Sequence, residues 1–198
     1  MKQLAILLLL FISGCSLTPS TAPPAANQAE LLWQKHQASL KTLKKWRLNA
    51  SLSVTKNKQN WIIRVLWDQD GDNYTLRLNA PLGQGAALLT GTKDSVIMRT
   101  GNNDTFEAKS ADELVVQALD MELPIDNLYY WIRGIPAPDH RILPYDLYKT
   151  GHLHHLEQSK WAVEYSPYVE VENLFLPKKI YLDHKNIEVK IVITKWNI

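Results

Sequence analysis

The histidines and acidic residues of this 198-residue chain are the side chains that could do chemistry, and they are sparse. His152 and His154 stand two residues apart in a β-prone segment, so a strand would place both on one face, as zinc ligands require. No companion motif supplies a third ligand, so a solvated strand edge is the stronger interpretation. Asp68, Asp70 and Asp72 lie in and around a turn, but the further acidic ligands of a calcium loop are missing. We therefore expect no metal and no cofactor.

The motifs of nucleophilic and hydrolytic catalysis are also missing from the sequence. It contains no G-x-S-x-G, no P-loop and no H-E-x-x-H. The formal net charge is only +2, and no basic run or recognition-helix pattern indicates nucleic-acid binding. Hydrophobic residues make up 45% of the chain and charged residues 21%, which is typical of a packed domain. The sequence therefore favours a binding or structural protein over an enzyme.

The N-terminal residues predict a secreted, lipid-anchored protein. Lys2 precedes an apolar run at residues 4–12, which is too short to span a bilayer and has the form of a secretory signal. Residues 12–15, Ile-Ser-Gly-Cys, resemble the bacterial lipobox, in which cleavage precedes a cysteine that becomes acylated. Cys15 is the only cysteine, so its thiol is free for lipid. An aspartate after that cysteine usually retains a lipoprotein in the inner membrane, whereas Ser16 favours the periplasmic face of the cell outer membrane.

Three segments follow from this interpretation. We predict a lipoprotein signal peptide at residues 1–14, an acylated cysteine with a flexible tether at 15–27, and a single domain at 28–198. Residues 17–27 are rich in Pro, Thr, Ser and Ala and would reach roughly 35 Å when extended. Asn27 is expected to cap a first helix. Its apolar stripe at helical spacing consists of Leu32, Trp33, His36, Leu40 and Leu43.

Alternating strands begin at Trp46 and predict an antiparallel meander. In residues 61–67 the odd-numbered positions are apolar and share one face, and residues 70–73 supply a turn. Leu76 and Leu78 alternate with polar residues on the return strand. The loop that follows is Ala80-Pro81-Leu82-Gly83-Gln84-Gly85, in which one large apolar residue sits among turn formers.

The middle of the chain predicts two further helices. Residues 110–113 match a capping box, and Asp126 or Asn127 is expected to cap an aromatic-rich helix that Gly134 ends. Strands then return at residues 152–158, 160–166, 178–184 and 187–196. A sheet this large must curl. We predict a mainly β fold with capping helices, an unclosed antiparallel β-barrel that encloses an apolar cavity.

Four segments resemble a known family. They are Trp33-Gln34-Lys35-His36-Gln37, residues 61–67, Asn79-Ala80-Pro81-Leu82-Gly83, and Leu128-x-x-Trp131-Ile132-x-Gly134-Ile135-Pro136. In this order behind a lipobox, they resemble the LolB family of outer-membrane lipoprotein receptors, within the LolA/LolB lipoprotein-localisation family. The resemblance covers nearly all of the mature length. Residues 165–175 depart more from the family pattern, so strand boundaries there stay open.

The resemblance implies a function and its partners. A protein of this kind accepts lipoprotein acyl chains from the soluble periplasmic carrier LolA and inserts lipoproteins into the outer membrane. Its partners would be LolA, lipoprotein substrates and outer-membrane lipids, and we expect a monomer. The leucine of the Pro81-Leu82-Gly83 loop would project into solvent and be needed for delivery to the membrane. The alternative is a lipid-anchored structural or apolar-ligand-binding lipoprotein with no transfer role.

The alternation of the strands and the apolar helix nominate the residues that line the acyl cavity. These are Trp61, Val65, Trp67, Leu76, Leu78, Trp131 and Ile132. Alternation alone does not say which strand face points inward.

Overall fold

The computed structural model describes residues 25–80, 85–119, 122–138 and 142–198. Within these ranges the chain forms three helices and thirteen strands. The helices are α1 (Ala25–Thr42), α2 (Ala111–Leu119) and α3 (Ile125–Trp131). The strands before α2 are β1 (Lys45–Lys56), β2 (Gln59–Asp70), β3 (Asn73–Asn79), β4 (Ala86–Gly91), β5 (Val96–Thr100) and β6 (Thr105–Ala108). Those after α3 are β7 (Ile142–Leu147), β8 (Leu153–Gln158), β9 (Trp161–Tyr165), β10 (Tyr168–Val171), β11 (Leu174–Pro177), β12 (Lys179–His184) and β13 (Ile187–Asn197).

Eleven of these strands form one antiparallel sheet in the order β6-β5-β4-β3-β2-β1-β13-β12-β9-β8-β7. The first six are joined in sequence by hairpins, as the alternation predicted, and β1 then pairs with the last strand, β13. Strands β10 and β11 form a separate hairpin. The outermost strands β6 and β7 do not pair with each other, so the barrel is unclosed. The predicted fold class is confirmed.

Strand β2 shows how the sequence sets the inner face of the sheet. Val65 and Trp67 are buried and Trp61 is half-buried, whereas Ile62 and Arg64 between them are exposed. Successive strand side chains point to opposite faces, so this alternation places the tryptophans under the helices. Within the described ranges no helix is both long and apolar enough to cross a membrane.

The helices differ from their predictions mainly at their starts. Helix α1 begins at Ala25, two residues before Asn27, so Asn27 is not its cap. The residue before α3 is Pro124, which makes no side-chain cap, so the prediction of Asp126 or Asn127 there is wrong. The Asp112 carboxylate of α2 instead accepts a hydrogen bond from the Asp126 backbone N–H, at 2.9 Å. One helix thus caps the next, which a search for local caps cannot find.

The capping box of α2 is confirmed in its first half. The Glu113 backbone N–H donates to the Ser110 hydroxyl at 3.2 Å, and the Glu113 carboxylate accepts from the Lys109 N–H rather than from Ser110 itself. Four strands expected after the helices are present as β8, β9, β12 and β13. Strands β6, β7, β10 and β11 were not predicted.

The two ends of the sheet have different structures. At the helix end, the segment that joins α1 to β1 meets the β2–β3 turn: the Gly71 N–H donates to the Lys44 carbonyl at 2.9 Å. Gly151 of the β7–β8 turn lies directly under α1. At the turn end, tight turns at Asn57–Lys58, Ser159–Lys160 and Lys185–Asn186 join neighbouring strands.

Candidate functional site

The structure brings the seven proposed cavity residues onto one surface. Val65, Trp67 and Leu76 of the sheet are buried, and Trp131 and Ile132 pack against the same core from the α3 segment. Trp61 and Leu78 are half-buried beside them. The structure thereby shows which strand face points inward, a choice that alternation alone left open. Their role in acyl binding remains a prediction, because side chains fill the space between the sheet and α3.

Trp131 is positioned by a polar contact inside this apolar layer. Its indole N–H donates to the Gln158 side-chain oxygen at 2.8 Å, and the same amide bonds both the N–H and the carbonyl of Ala137. Gln158 is fully buried at the end of β8. A buried amide without partners would cost free energy, so these bonds hold α3 and the chain after it at one position over the sheet.

Several clefts open beside this layer, and two of them bear on binding. The first, about 450 Å³, lies at the helix end between the β2–β3 hairpin and α3, with Trp67, Tyr74, Tyr129 and Tyr130 in its wall. The second, about 470 Å³, lies between α2 and the β8–β9 turn. Its apolar wall consists of Val116, Leu123, Pro124 and Trp161. Both clefts combine rings or aliphatic chains with polar side chains, which suits a molecule that has an apolar body and a polar end.

An aromatic layer floors the first cleft. The ring centroids of Trp46 and Trp67 are 5.1 Å apart, and those of Trp46 and Tyr129 are 6.3 Å apart. Tyr74 lies over Gly91, where an added Cβ would come within 2.1 Å of the tyrosine ring, so the strand needs glycine there. Burial, followed by the charges of Asp126 and Asp112, raises the pKa of Tyr74 well above its usual value. Tyr74 is therefore neutral and presents an apolar surface.

Arg133 lies beside the first cleft and was not selected by the sequence analysis. Its side chain is 2% exposed, lies over the Tyr129 ring at 4.1 Å, and donates to the carbonyls of Leu40, Leu43 and Tyr129 at 3.0–3.2 Å. Burial lowers its pKa, and the neighbouring tyrosines act in the opposite direction. A single side chain thereby joins the end of α1 to α3.

The histidines that could have held a metal are directed to different partners. His152 lies one residue before β8 and packs its ring on His36, Tyr168 and Phe175, with centroids 4.6–4.9 Å apart. His154 packs on Tyr148 instead. Among the described residues no group of three or more His, Cys, Asp or Glu side chains is placed to hold a metal ion. Burial, and secondarily His152, lowers the pKa of His36 to about 4.

The carboxylates of the β2–β3 hairpin are engaged in ion pairs on the outer face of the sheet. Asp68 accepts from Arg47 on one side and from Arg77 on the other, the latter at 3.0 Å, and Asp70 pairs with Lys45 at 2.9 Å. These pairs neutralise the two carboxylates. They are structural features of a solvated face.

Cys15 and the loop residues Pro81, Leu82 and Gly83 lie outside the described residues. The loop is bounded by Ala80 and Gly85, whose N–H and carbonyl are joined by a hydrogen bond of 3.0 Å. The loop therefore leaves and rejoins the sheet at the turn end, between β3 and β4.

Solved structures identify the fold. A LolA superfamily protein from Nitrosomonas europaea matches 86% of this chain and 93% of its own, with a TM-score of 0.55 at 8% identity. A putative outer membrane lipoprotein-sorting protein domain from Vibrio parahaemolyticus matches 87% and 92%, with a TM-score of 0.57 at 7% identity. At such low identity the likeness is one of fold: the chain has a LolA-superfamily fold.

Sequence comparisons then give the family. The family model "Outer membrane lipoprotein LolB" matches residues 44–196. The outer-membrane lipoprotein LolB of Nitrosococcus oceani is 33% identical over 99% of this chain and 98% of its own length. That of Ectopseudomonas mendocina is 34% identical over 96% and 92%. The chain belongs to the LolB family, and it is not an enzyme.

Proposed function

We propose that this protein is an outer-membrane-anchored receptor that takes lipoproteins, by their acyl chains, from the periplasmic carrier LolA and inserts them into the outer membrane. Membership of the LolB family supports the lipoprotein-receptor role and the outer-membrane location. The observation that carries the proposal at residue level is the aromatic inner face of an unclosed sheet, covered by two short helices rather than by a second sheet.

The acyl chains are held by the hydrophobic effect. Burying apolar area contributes about 25 cal/mol per Å², so a lipid with several chains gains far more from this face than a single side chain does. The chains enter as the side chains of α3, among them Trp131 and Ile132, give way to lipid. This exchanges one apolar contact for another. Trp61 and Leu78 extend the same surface toward the turn end.

Transfer needs no chemical energy source in this scheme. A lipoprotein passes from LolA to this protein if the second cavity binds it more tightly, and about 1.4 kcal/mol shifts the ratio tenfold. The bilayer is a still better apolar phase, so release follows once the opening is held against it. Cys15, acylated after removal of residues 1–14, supplies that proximity. Stable anchoring requires more than one acyl chain, and a lipoprotein modification supplies them.

Leu82 is proposed to act at the release step. Full burial of one leucine contributes only about 1.5–3 kcal/mol, too little to anchor a protein but enough to bias the orientation of one that is already anchored. The loop leaves the sheet beside Ile62, which is 53% exposed on β2. An apolar loop tip beside an exposed isoleucine favours contact with lipid over water.

The test is delivery of a fluorescent acylated lipoprotein from LolA to vesicles that carry the acylated receptor. We expect Leu82→Glu to accept the lipoprotein at normal affinity and to deliver it at least several-fold more slowly. Leu31→Glu is the matched control, because Leu31 is 52% exposed on α1 and lies away from the loop. Normal delivery by Leu82→Glu would contradict the role of this loop. If the wild-type protein bound neither an apolar fluorescent probe nor acylated peptide, a structural lipoprotein with no transfer role would be the better interpretation.

A further inference from the structure

Three tight turns lie side by side at the turn end, and each exposes a lysine. They are the β1–β2 turn with Lys58, the β12–β13 turn with Lys185 and the β8–β9 turn with Lys160. The sheet order runs β2-β1-β13-β12-β9-β8, so these hairpins are immediate neighbours. The register aligns their tips: Lys56 pairs with Ile187, and Asp183 pairs with Ala162. We call Lys58, Lys185 and Lys160 the lysine row.

Side-chain hydrogen bonds hold the three turns together. The Asn186 amide donates to the Asn57 side-chain oxygen, which joins the first turn to the second. His184 Nδ1 donates to the Lys160 carbonyl at 2.7 Å, which joins the second to the third. Asn57, Lys58, Ser159 and Lys160 all have positive φ, so the turns are tight and leave little backbone freedom. The three ammonium groups therefore share one rigid edge.

The charge of this row is largely uncompensated. Within the described part of the chain, Lys58 and Lys160 form no ion pair, and Lys185 approaches Glu122 only at 4.0 Å with both side chains mostly exposed. Asp183 and Glu188 are exposed on the flanking strands and reduce the local potential. Exposed pairs of this kind contribute little and are weakened by salt, so the row keeps a positive edge.

Two apolar features adjoin the row. The loop between Ala80 and Gly85 leaves the sheet at this end, and exposed Ile62 lies two residues beyond the last β2–β3 pair, Arg64 with Asn79. The 470 Å³ cleft opens beside the third turn, with Ser159 and Trp161 in its wall. Positive charge beside exposed apolar groups and an opening is the combination that a bilayer surface favours.

We propose that the lysine row is the surface that docks this protein on the membrane, with the three ammonium groups on anionic phospholipid headgroups. This inference rests on the proposed function and assigns it an orientation: the turn end and its cleft face the bilayer, and the helix end with its aromatic cleft faces the periplasm. The chain between Cys15 and Ala25 reaches roughly 35 Å at most, comparable with the length of a twelve-residue strand. The anchor therefore permits this orientation.

The experiment measures which end of the anchored protein touches lipid. Acylation consumes Cys15, so a cysteine introduced by Gln59→Cys at the turn end, or by Asp94→Cys at the helix end, carries a single fluorescent label. Both positions are exposed and lie at hairpins. Full-length acylated protein is placed in vesicles of neutral lipid alone or with added phosphatidylglycerol, and a nitroxide on the lipid headgroup quenches any label that approaches it.

With anionic vesicles we expect quenching at position 59 to exceed that at position 94 several-fold, and the difference to shrink with salt. The difference in quenching should disappear in the triple variant Lys58→Glu, Lys160→Glu and Lys185→Glu. The control is the triple variant Lys44→Glu, Lys93→Glu and Lys149→Glu, whose exposed lysines lie at the helix end. It changes the net charge by the same amount, and the difference in quenching should persist. Equal quenching at both positions, or equal loss in both triple variants, would overturn the proposal. Lipoprotein delivery measured on the same vesicles separates the two ideas, since its failure in the wild-type protein would count against the proposed function instead.

Discussion

The two ends of the sheet are held in opposite ways. At the helix end, buried groups do the work: Arg133 joins α1 to α3, and Gly151 admits the backbone of α1. At the turn end, exposed polar side chains such as Asn186 and Asn57 link hairpins that would form without them. Interactions that exclude water contribute most to stability. We infer that folding depends on the buried groups, which leaves the exposed residues of the turn tips free to be selected for function.

The largest expected difference concerns one cation at each end. Arg133→Met should lower the free energy of unfolding by about 3–5 kcal/mol, since it removes a donor from the Leu43 carbonyl and leaves the Leu40 carbonyl with only the Leu43 N–H. Lys58→Met at the turn end should change it by less than about 0.5 kcal/mol. Urea denaturation of the mature chain measures both. Similar values for the two variants would remove the distinction between the ends.

Two glycines with positive φ at the helix end allow the cost of a steric clash to be distinguished from the cost of backbone strain. Gly151→Ala should cost about 3 kcal/mol, because its Cβ would lie 2.4 Å from Leu32 Cβ and 2.8 Å from the Trp33 nitrogen, and φ is +75°. Gly71→Ala, at φ +60° with open space around it, should cost only about 1 kcal/mol. Thermal unfolding of the two variants measures the loss of stability in each. Equal losses would show that α1 shifts readily to accommodate a Cβ at Gly151.

Acid should weaken the helix end before the turn end. The pKa of His36 is about 4 in the folded protein against an ordinary 6.5, so the unfolded chain binds the proton more readily. The stabilisation is complete above pH 6.5 and is lost as pH falls toward 4, by roughly 2–3 kcal/mol. His152, whose pKa burial also lowers, packs on the same ring and adds to the effect. In the His36→Gln variant, the slope of the unfolding free energy against pH should be smaller than in the wild-type protein. An unchanged slope would mean that other groups cause the pH dependence.

The smallest effect is expected at the turn end. Asn186→Ala removes the exposed hydrogen bond to Asn57 and should cost less than about 1 kcal/mol. A loss above 2 kcal/mol, measured by urea denaturation, would mean that the turn end also carries the fold.

What the sequence predicted well is what local pattern determines. Alternation around Trp67 and the turns at Asn57 and Asp72 have local causes, so the antiparallel meander of the first half was foreseeable, whereas β6 and the choice of the inward face were not. Strand β7 contains Pro144 and breaks in register, and β10 and β11 have only four residues each, so these were not. Their partners are adjacent in sequence, β7 with β8 and β10 with β11, but such short or interrupted runs show too little alternation to predict a strand.

The candidate site also contains residues that local pattern predicts and a residue that it does not. The nominated residues Val65, Trp67 and Trp131 all belong to one hydrophobic core, since alternation groups the strand residues on one face and the helix is apolar. Arg133 was missed because its partners are carbonyls 90 and 93 residues away. Nothing local marks a buried arginine that bonds to backbone, whereas a buried apolar stripe is visible in any helix.

The unclosed sheet has a consequence for aggregation. Two free strand edges invite pairing with another copy and, in time, aggregation. Here β6 has only four residues, and β7 carries a proline that cannot donate a ladder hydrogen bond together with two register shifts. Both edges are thereby poor templates for strand addition. The sheet can therefore stay unclosed without its edges promoting polymerisation.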